Sequence, residues 1–160
     1  MTLTLRPARS TDAGQMGEIL HGFYRETAWM PELYSGAETI AFCGVMIDRG
    51  WVTVAEAEGV VTGFLARDGA EICALYLKPE ACGHGIGKRL LDDAKAQLRK
   101  EDRALHLSLW TFQANTGAQR FYQREGFAEV QRSDGARNEE GLPDIEYLWT
   151  RNEAEGEVAA

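Results

Sequence analysis

Three glycines at alternate positions, Gly83, Gly85 and Gly87, follow an apolar run that ends in Lys78-Pro79. This arrangement reads as an extended segment turning into a helix. Glycine has no Cβ, so the backbone there can approach a bound group closely and aim its N–H groups at the group's oxygens. Over 84–100, Ile86, Leu90, Leu91, Ala94 and Leu98 recur at helical spacing, and the positive end of that helix dipole falls on the same point. The loop suits an anion. Its spacing excludes two familiar versions. A Walker loop offers a hydroxyl after its lysine, but Lys88 is followed by Arg89. A dinucleotide fingerprint steps its glycines differently and lies near the start of a βαβ unit.

A second motif lies downstream, LWTFQANTGAQRFYQREGFAEV over 109–130. It starts on a strand with Leu105, Leu107 and Leu109 on one side and His106, Ser108 and Trp110 on the other. It then passes through Asn115 into a helix with Ala118, Phe121 and Tyr122, and closes on Gly126-Phe127. The glycine loop followed by Asn-x-x-Ala-x-x-Phe-Tyr-x-x-x-Gly-Phe resembles the GNAT superfamily of N-acetyltransferases, which use acetyl-coenzyme A. The resemblance runs from about Glu71 to Val130. One position departs from it. The family usually places Gln or Arg three residues before the first glycine of its Gly-x-Gly pair, and Cys82 stands there. Backbone amides and the helix dipole do not depend on that side chain, and Lys88 and Arg89 are the cations available to compensate. Cys82 reads either as a small residue that fits or as a thiol activated by a helix N-terminus.

Composition sets the remaining bounds. A chain of 160 residues with 44% hydrophobic content can bury a core within one domain. That domain is expected over 1–150, with a frayed tail at 151–160. Acidic residues outnumber basic ones 25 to 17, for a net charge of −8, which disfavours nucleic acid and is compatible with a small amine or basic peptide. Cys43, Cys73 and Cys82 make no even framework and share no metal-type spacing with the histidines. The expectation is a cytoplasmic protein with no metal and no membrane span.

Periodicity predicts strands at 2–7, 51–57, 60–67, 70–78, 104–111, 127–133 and 144–150. Helices are predicted after Ser10–Asp12 and at 37–49, 84–100 and 115–125, with a hairpin turn at Glu58-Gly59. The order βααβββαβαββ agrees with the fold the resemblance implies. That fold is an α/β (α+β) one, a mixed, mostly antiparallel central sheet of about seven strands flanked by about four helices.

The resemblance also assigns roles. The backbone of Leu75 and Leu77 would pair with pantetheine amides, and the Leu75 N–H would polarise the acetyl carbonyl. Cys82, Gly83, His84, Gly85, Ile86, Gly87 and Lys88 would surround the pyrophosphate. Asn115 would fix the strand-to-helix bend and hydrogen-bond the cofactor or nearby backbone. Tyr122 would touch the thioester sulfur and protonate the departing thiolate. The attacking amine must first lose a proton, because an alkyl ammonium has a pKa of about 10. Glu71, His106 or water would take that proton, with Glu71 at the place of the catalytic glutamate in histone-type relatives.

The acceptor is the least legible part. Trp29, Met30 and Tyr34, between the first two helices, suit either a lid or packing, and Trp110 shares a strand face with His106. Glu139, Glu140 and Asp144 suit either a cation receptor or a surface loop. The leading reading is direct acetyl transfer from acetyl-coenzyme A to a primary amine of a small molecule or peptide, in a ternary complex. The alternative is a non-catalytic acyl-coenzyme A binding or sensing module. A homodimer is compatible with either.

Overall fold

The structure, a computed structural model, describes residues 2–101 and 106–151. Leu105 and the tail beyond Arg151 lie outside those residues. Seven strands and four helices follow one another as β1 (Leu3–Pro7), α1 (Ala13–Glu26), α2 (Gly36–Asp48), β2 (Val52–Ala57), β3 (Val60–Asp68), β4 (Glu71–Leu77), α3 (Ile86–Glu101), β5 (His106–Phe112), α4 (Thr116–Arg124), β6 (Ala128–Ser133) and β7 (Asp144–Thr150). The strands form one mostly antiparallel sheet in the order β1-β2-β3-β4-β5-β7-β6. By internal contacts the chain divides into two compact units, Met1–Asp68 with Cys73–Asp92, and Gly69–Ile72 with Asp93–Ala160.

In the first unit β1 and β2 pair antiparallel from Leu3↔Ala57 to Pro7↔Thr53. Pro7 closes an edge strand, where its missing N–H costs no ladder bond. The β2–β3 hairpin turns through Glu58 and Gly59, both at positive φ (53° and 80°), the geometry of the tight turn whose twist matches its strands. Helix α1 buries Met16, Ile19 and Leu20 against Cys43 and Met46 of α2 and Val54, Val61 and Phe64 of the strands. Helix α2 starts at a reciprocal capping box: Glu38 N–H donates to Ser35 Oγ at 3.1 Å, and Ser35 N–H donates to Glu38 Oε1 at 3.0 Å.

Ser10–Asp12 forms a 3-10 turn that leaves Asp12 at the N-cap of α1 without a side-chain cap bond. The nearly buried Asp12 carboxylate accepts from both Arg6 Nη atoms at 2.8 and 3.0 Å and from Arg9 N–H at 2.7 Å. Arg6 also reaches Glu56 on β2. The loop leading into α1 is thereby tied to the β1–β2 pair.

In the second unit β7 lies between β5 and β6, antiparallel to both. Its Ile145, Tyr147 and Trp149 alternate into the core. Lys95 on α3 is also buried. Its ammonium donates to Glu125 O at 2.7 Å, at the end of α4, and lies 5.2 Å from the Trp149 ring, so the buried charge is paired with a carbonyl and an aromatic face.

Among the described residues the register between β4 and β5 is the single parallel pair Glu71↔Ser108, joined by the bond from Ser108 N–H to Ala70 O. The remainder of β4 leaves Cys73 exposed and Leu75, Tyr76 and Leu77 half-buried. No helix among the described residues is long and apolar enough to cross a membrane.

Candidate active site

The glycine loop is built as its sequence demands. Gly83 and Gly85 take φ of +82° and +77°, a region that side chains with a Cβ avoid. A Cβ added at either would meet nothing within 4 Å. The glycines therefore answer to backbone conformation and leave the concave side of the loop open. Because positive φ cannot continue into a helix, α3 begins at Ile86 rather than at 84, and its first turn bond runs from Arg89 N–H to Gly85 O. The loop is thereby followed directly by the first turn of a 16-residue helix, whose dipole carries its positive end there. This geometry fits a diphosphate.

The side chains around the loop behave differently from expectation. Cys82 lies before the loop rather than at the helix N-terminus, and it closes the short turn Pro79–Ala81. Its thiol donates back to Lys78 O at 3.5 Å. Of the two compensating cations, Lys88 leans along its own helix toward Asp92 at 3.3 Å, and Arg89 donates to Leu3 O at 3.4 Å. His84 is exposed.

On the second unit, Asn115 caps α4, its Oδ1 accepting from Ala118 N–H at 3.1 Å. Gln119, which sequence reading passed over, secures the same bend by donating to Phe112 O and Gln113 O at 3.1 and 2.7 Å. Tyr122 is buried among Phe121, Phe127 and Tyr147 at ring separations of 5.3, 5.7 and 6.3 Å. That burial pushes its hydroxyl well above the usual phenol range. Glu71 is exposed and paired with Ser108, so sheet geometry puts it on the face that carries the exposed His106 and Trp110.

The acceptor expectations are redistributed. Asp144 is no surface receptor. It is buried and held by Ser133 Oγ and Asn138 Nδ2, so it pins the turn between β6 and β7. Glu139 stays exposed and Glu140 half-buried. Met30 is buried in the core, Tyr34 is exposed, and Trp29 packs edge-on against Phe23 at 6.2 Å. A cleft of about 410 Å³ opens instead along α1 and the segment after β4. It is lined by Glu18, Gly22, Phe23 and Glu26 on one side and Leu77 and Glu80 on the other. Trp29, Met30 and Tyr34 are not part of that lining. The signal for the cleft was available in the sequence as Glu18-x-x-x-Gly22-x-x-x-Glu26, one face of a helix.

Residues 11–127 match the acetyltransferase (GNAT) family. The chain belongs to that family. Among curated relatives, this GNAT chain is 34% identical over 93 residues to an uncharacterized N-acetyltransferase of Methanocaldococcus jannaschii, covering 51% of this chain and 41% of that protein. It is also 34% identical over 80 residues to the peptidyl-lysine N-acetyltransferase YiaC of Escherichia coli, covering 49% of each. The match thus spans about half the length of these relatives. A solved structure of the PaiA N-acetyltransferase from Thermoplasma acidophilum, in complex with coenzyme A, superposes with a TM-score of 0.73 over 94% of this chain and 99% of that one at 22% identity. At that identity the likeness shows a shared fold.

Proposed function

We propose that the protein transfers the acetyl group of acetyl-coenzyme A to a primary amine. The observation that carries this reading is the loop Gly83–Lys88, whose left-handed glycines open onto the N-terminus of α3, in a chain of the GNAT family. Acetyl-coenzyme A supplies an activated acyl group on a thiol leaving group. The loop amides hold its pyrophosphate, and the half-buried stretch of β4 from Leu75 to Leu77 offers peptide groups to the pantetheine arm in the manner of an added strand.

The amine nitrogen forms a bond to the acetyl carbon as the carbon–sulfur bond breaks. The proton leaving nitrogen is assigned to Glu71, directly or through water, and the thiolate takes one from Tyr122. A thiol is ordinarily the stronger acid of the two, at about 8.5 against about 10 for a phenol, so the proton moves as the carbon–sulfur bond breaks and the phenolate left behind recovers a proton from solvent.

The test is release of coenzyme A thiol across a panel of amines, with mass detection of the acetylated acceptor. Turnover with some amine supports transfer. Binding of acetyl-coenzyme A without turnover on any amine would make the chain a binding module instead. In Glu71→Gln the acidic limb of the pH profile of kcat/KM is expected to weaken or vanish. An unchanged profile would remove Glu71 from the mechanism.

A further inference from the structure

Helix α2 uses only one of its faces inside the chain. Thr39, Cys43 and Met46 are buried, and Cys43 and Met46 join α1 and the strands in the core. On the other side Phe42 is 56% and Val45 45% exposed, with Ala41 exposed beside them. A single exposed apolar residue is ordinary. Here two large ones occupy neighbouring turns of one helix, and a helix apolar on both faces is normally covered on both.

Charge brackets this stripe. Glu38 stands four residues before Phe42, and Arg49 four residues after Val45. Arg49 is the C-cap of α2 and keeps helical dihedrals, φ −80° and ψ −4°, so it continues the stripe. Positions 38, 42, 45 and 49 thus step by four, three and four residues, the spacing of a seam between two packed helices. Both charges are held in place, Glu38 by the Ser35 cap and Arg49 over the Trp51 ring at 5.0 Å. The seam is complementary to itself. A second α2 laid antiparallel across a two-fold axis sets Phe42 against the partner subunit's Val45, and Glu38 against the partner subunit's Arg49. Asp48, also exposed, flanks Arg49 at the rim of the seam.

This pattern selects the occupant. A hydrocarbon ligand or a lipid surface would use Phe42 and Val45 but gain nothing from the ordered charges, and a net charge of −8 opposes indiscriminate self-association. A helix with the reverse charge order uses both features, and a second copy presents one by symmetry. The geometry points to α2 as a homodimer interface, in which two copies of this chain pack their α2 helices antiparallel, with Phe42 and Val45 covered at the centre and a Glu38–Arg49 pair closing each end. Three turns of helix make a small interface against the roughly 800 Å² per partner of a standard one, so the dimer is expected to dissociate with a Kd of about 10–100 µM.

The experiment is sedimentation velocity on the full chain from about 5 to about 500 µM, a range that brackets that Kd. Wild type is expected to pass from monomer to dimer. Phe42→Glu puts a carboxylate at the centre of the seam and should raise Kd about tenfold or more, with circular dichroism and melting temperature kept because the site is exposed in the monomer. Arg49→Glu and Glu38→Lys each set like charges against each other and should weaken the dimer by a similar factor. Mixed one to one, the two variants should dimerise about as well as wild type, because each then meets its opposite at both ends. Phe42→Glu and Arg49→Glu leave the Ser35 cap untouched, so they carry the test by themselves if Glu38→Lys does not fold. A wild-type chain that stays monomeric throughout the range, a Phe42→Glu dimer as tight as wild type, or a mixture of folded Arg49→Glu and Glu38→Lys no more dimeric than its components would each overturn the assignment.

Discussion

Tyr122 and Cys82 are the side chains on which the chemistry of this chain departs furthest from what their residue types suggest. Burial among three aromatic rings raises the Tyr122 phenol, so it is a reluctant acid. Tyr122→Phe keeps the ring packing and is expected to lower kcat by about 10-fold to 100-fold with little change in acetyl-coenzyme A affinity. Full activity would mean the thiolate takes its proton from solvent. The raised pKa has a consequence for stability as well. The unfolded chain loses the phenol proton at its ordinary value of about 10 and the folded chain only at higher pH, so above pH 10 the unfolded state binds fewer protons and folding stability falls. Cys43, buried and pushed up to about 11, adds a loss of the same sign from about pH 9. Urea unfolding between pH 9 and pH 11 should therefore show wild-type stability declining more steeply than that of Tyr122→Phe; parallel slopes would contradict the burial argument. Cys82 is exposed and bonded only weakly to Lys78 O. Cys82→Arg is expected to tighten acetyl-coenzyme A binding about tenfold or more, the effect of one charged hydrogen bond to a phosphate, as read by titration calorimetry. Unchanged affinity would show that the backbone cradle is sufficient.

At the level of elements, periodicity carried the order of strands and helices, and β7 falls where the sequence places it, at Asp144–Thr150. The β2–β3 turn was legible for a physical reason, since Glu58-Gly59 is chemistry that only a tight hairpin rewards. The start of α3 was displaced by two residues because an apolar stripe does not report the φ of the glycines beside it. The capping box of α2 was present as Ser35-x-x-Glu38 and went unread. Ser35→Ala is expected to cost about 1 kcal/mol in urea unfolding without altering acetyl transfer; a loss of activity would give the α1–α2 connection a direct part in catalysis. Asp144 could not have been read from the chain alone. A carboxylate in an acidic stretch looks solvated until Ser133 and Asn138 are known to close on it. The cleft escaped notice for the converse reason. Helix α1 was read for the stripe it buries, and the opposite stripe, Glu18, Gly22 and Glu26, carries no apolar periodicity to flag it.

Over the whole molecule a net charge of −8 sets carboxylate against carboxylate, and in the Arg6–Asp12–Glu56 cluster one guanidinium holds two carboxylates together. Hydrogen bonds from Arg6 hold the Asp12 carboxyl below the usual range, despite the opposing effect of burial. Its contribution to stability is complete above the unfolded value of about 3.9 and is lost as pH falls through the lower folded value. Asp12→Asn should therefore be less stable than wild type at pH 7, with the gap closing toward pH 3; a constant gap would make the role of Asp12 one of packing alone. The central claim, that Gly83–Lys88 is a diphosphate cradle serving an acetyltransferase, is tested most directly by thermal unfolding with and without acetyl-coenzyme A. At a ligand concentration 100 times Kd, stabilisation of about 2.7 kcal/mol is expected, a rise of roughly 5–10 °C for a chain of this size. Gly85→Ala forces a side chain into a left-handed position and should abolish most of that rise. A melting curve that acetyl-coenzyme A leaves unmoved, or a Gly85→Ala variant stabilised as fully as wild type, would contradict the account.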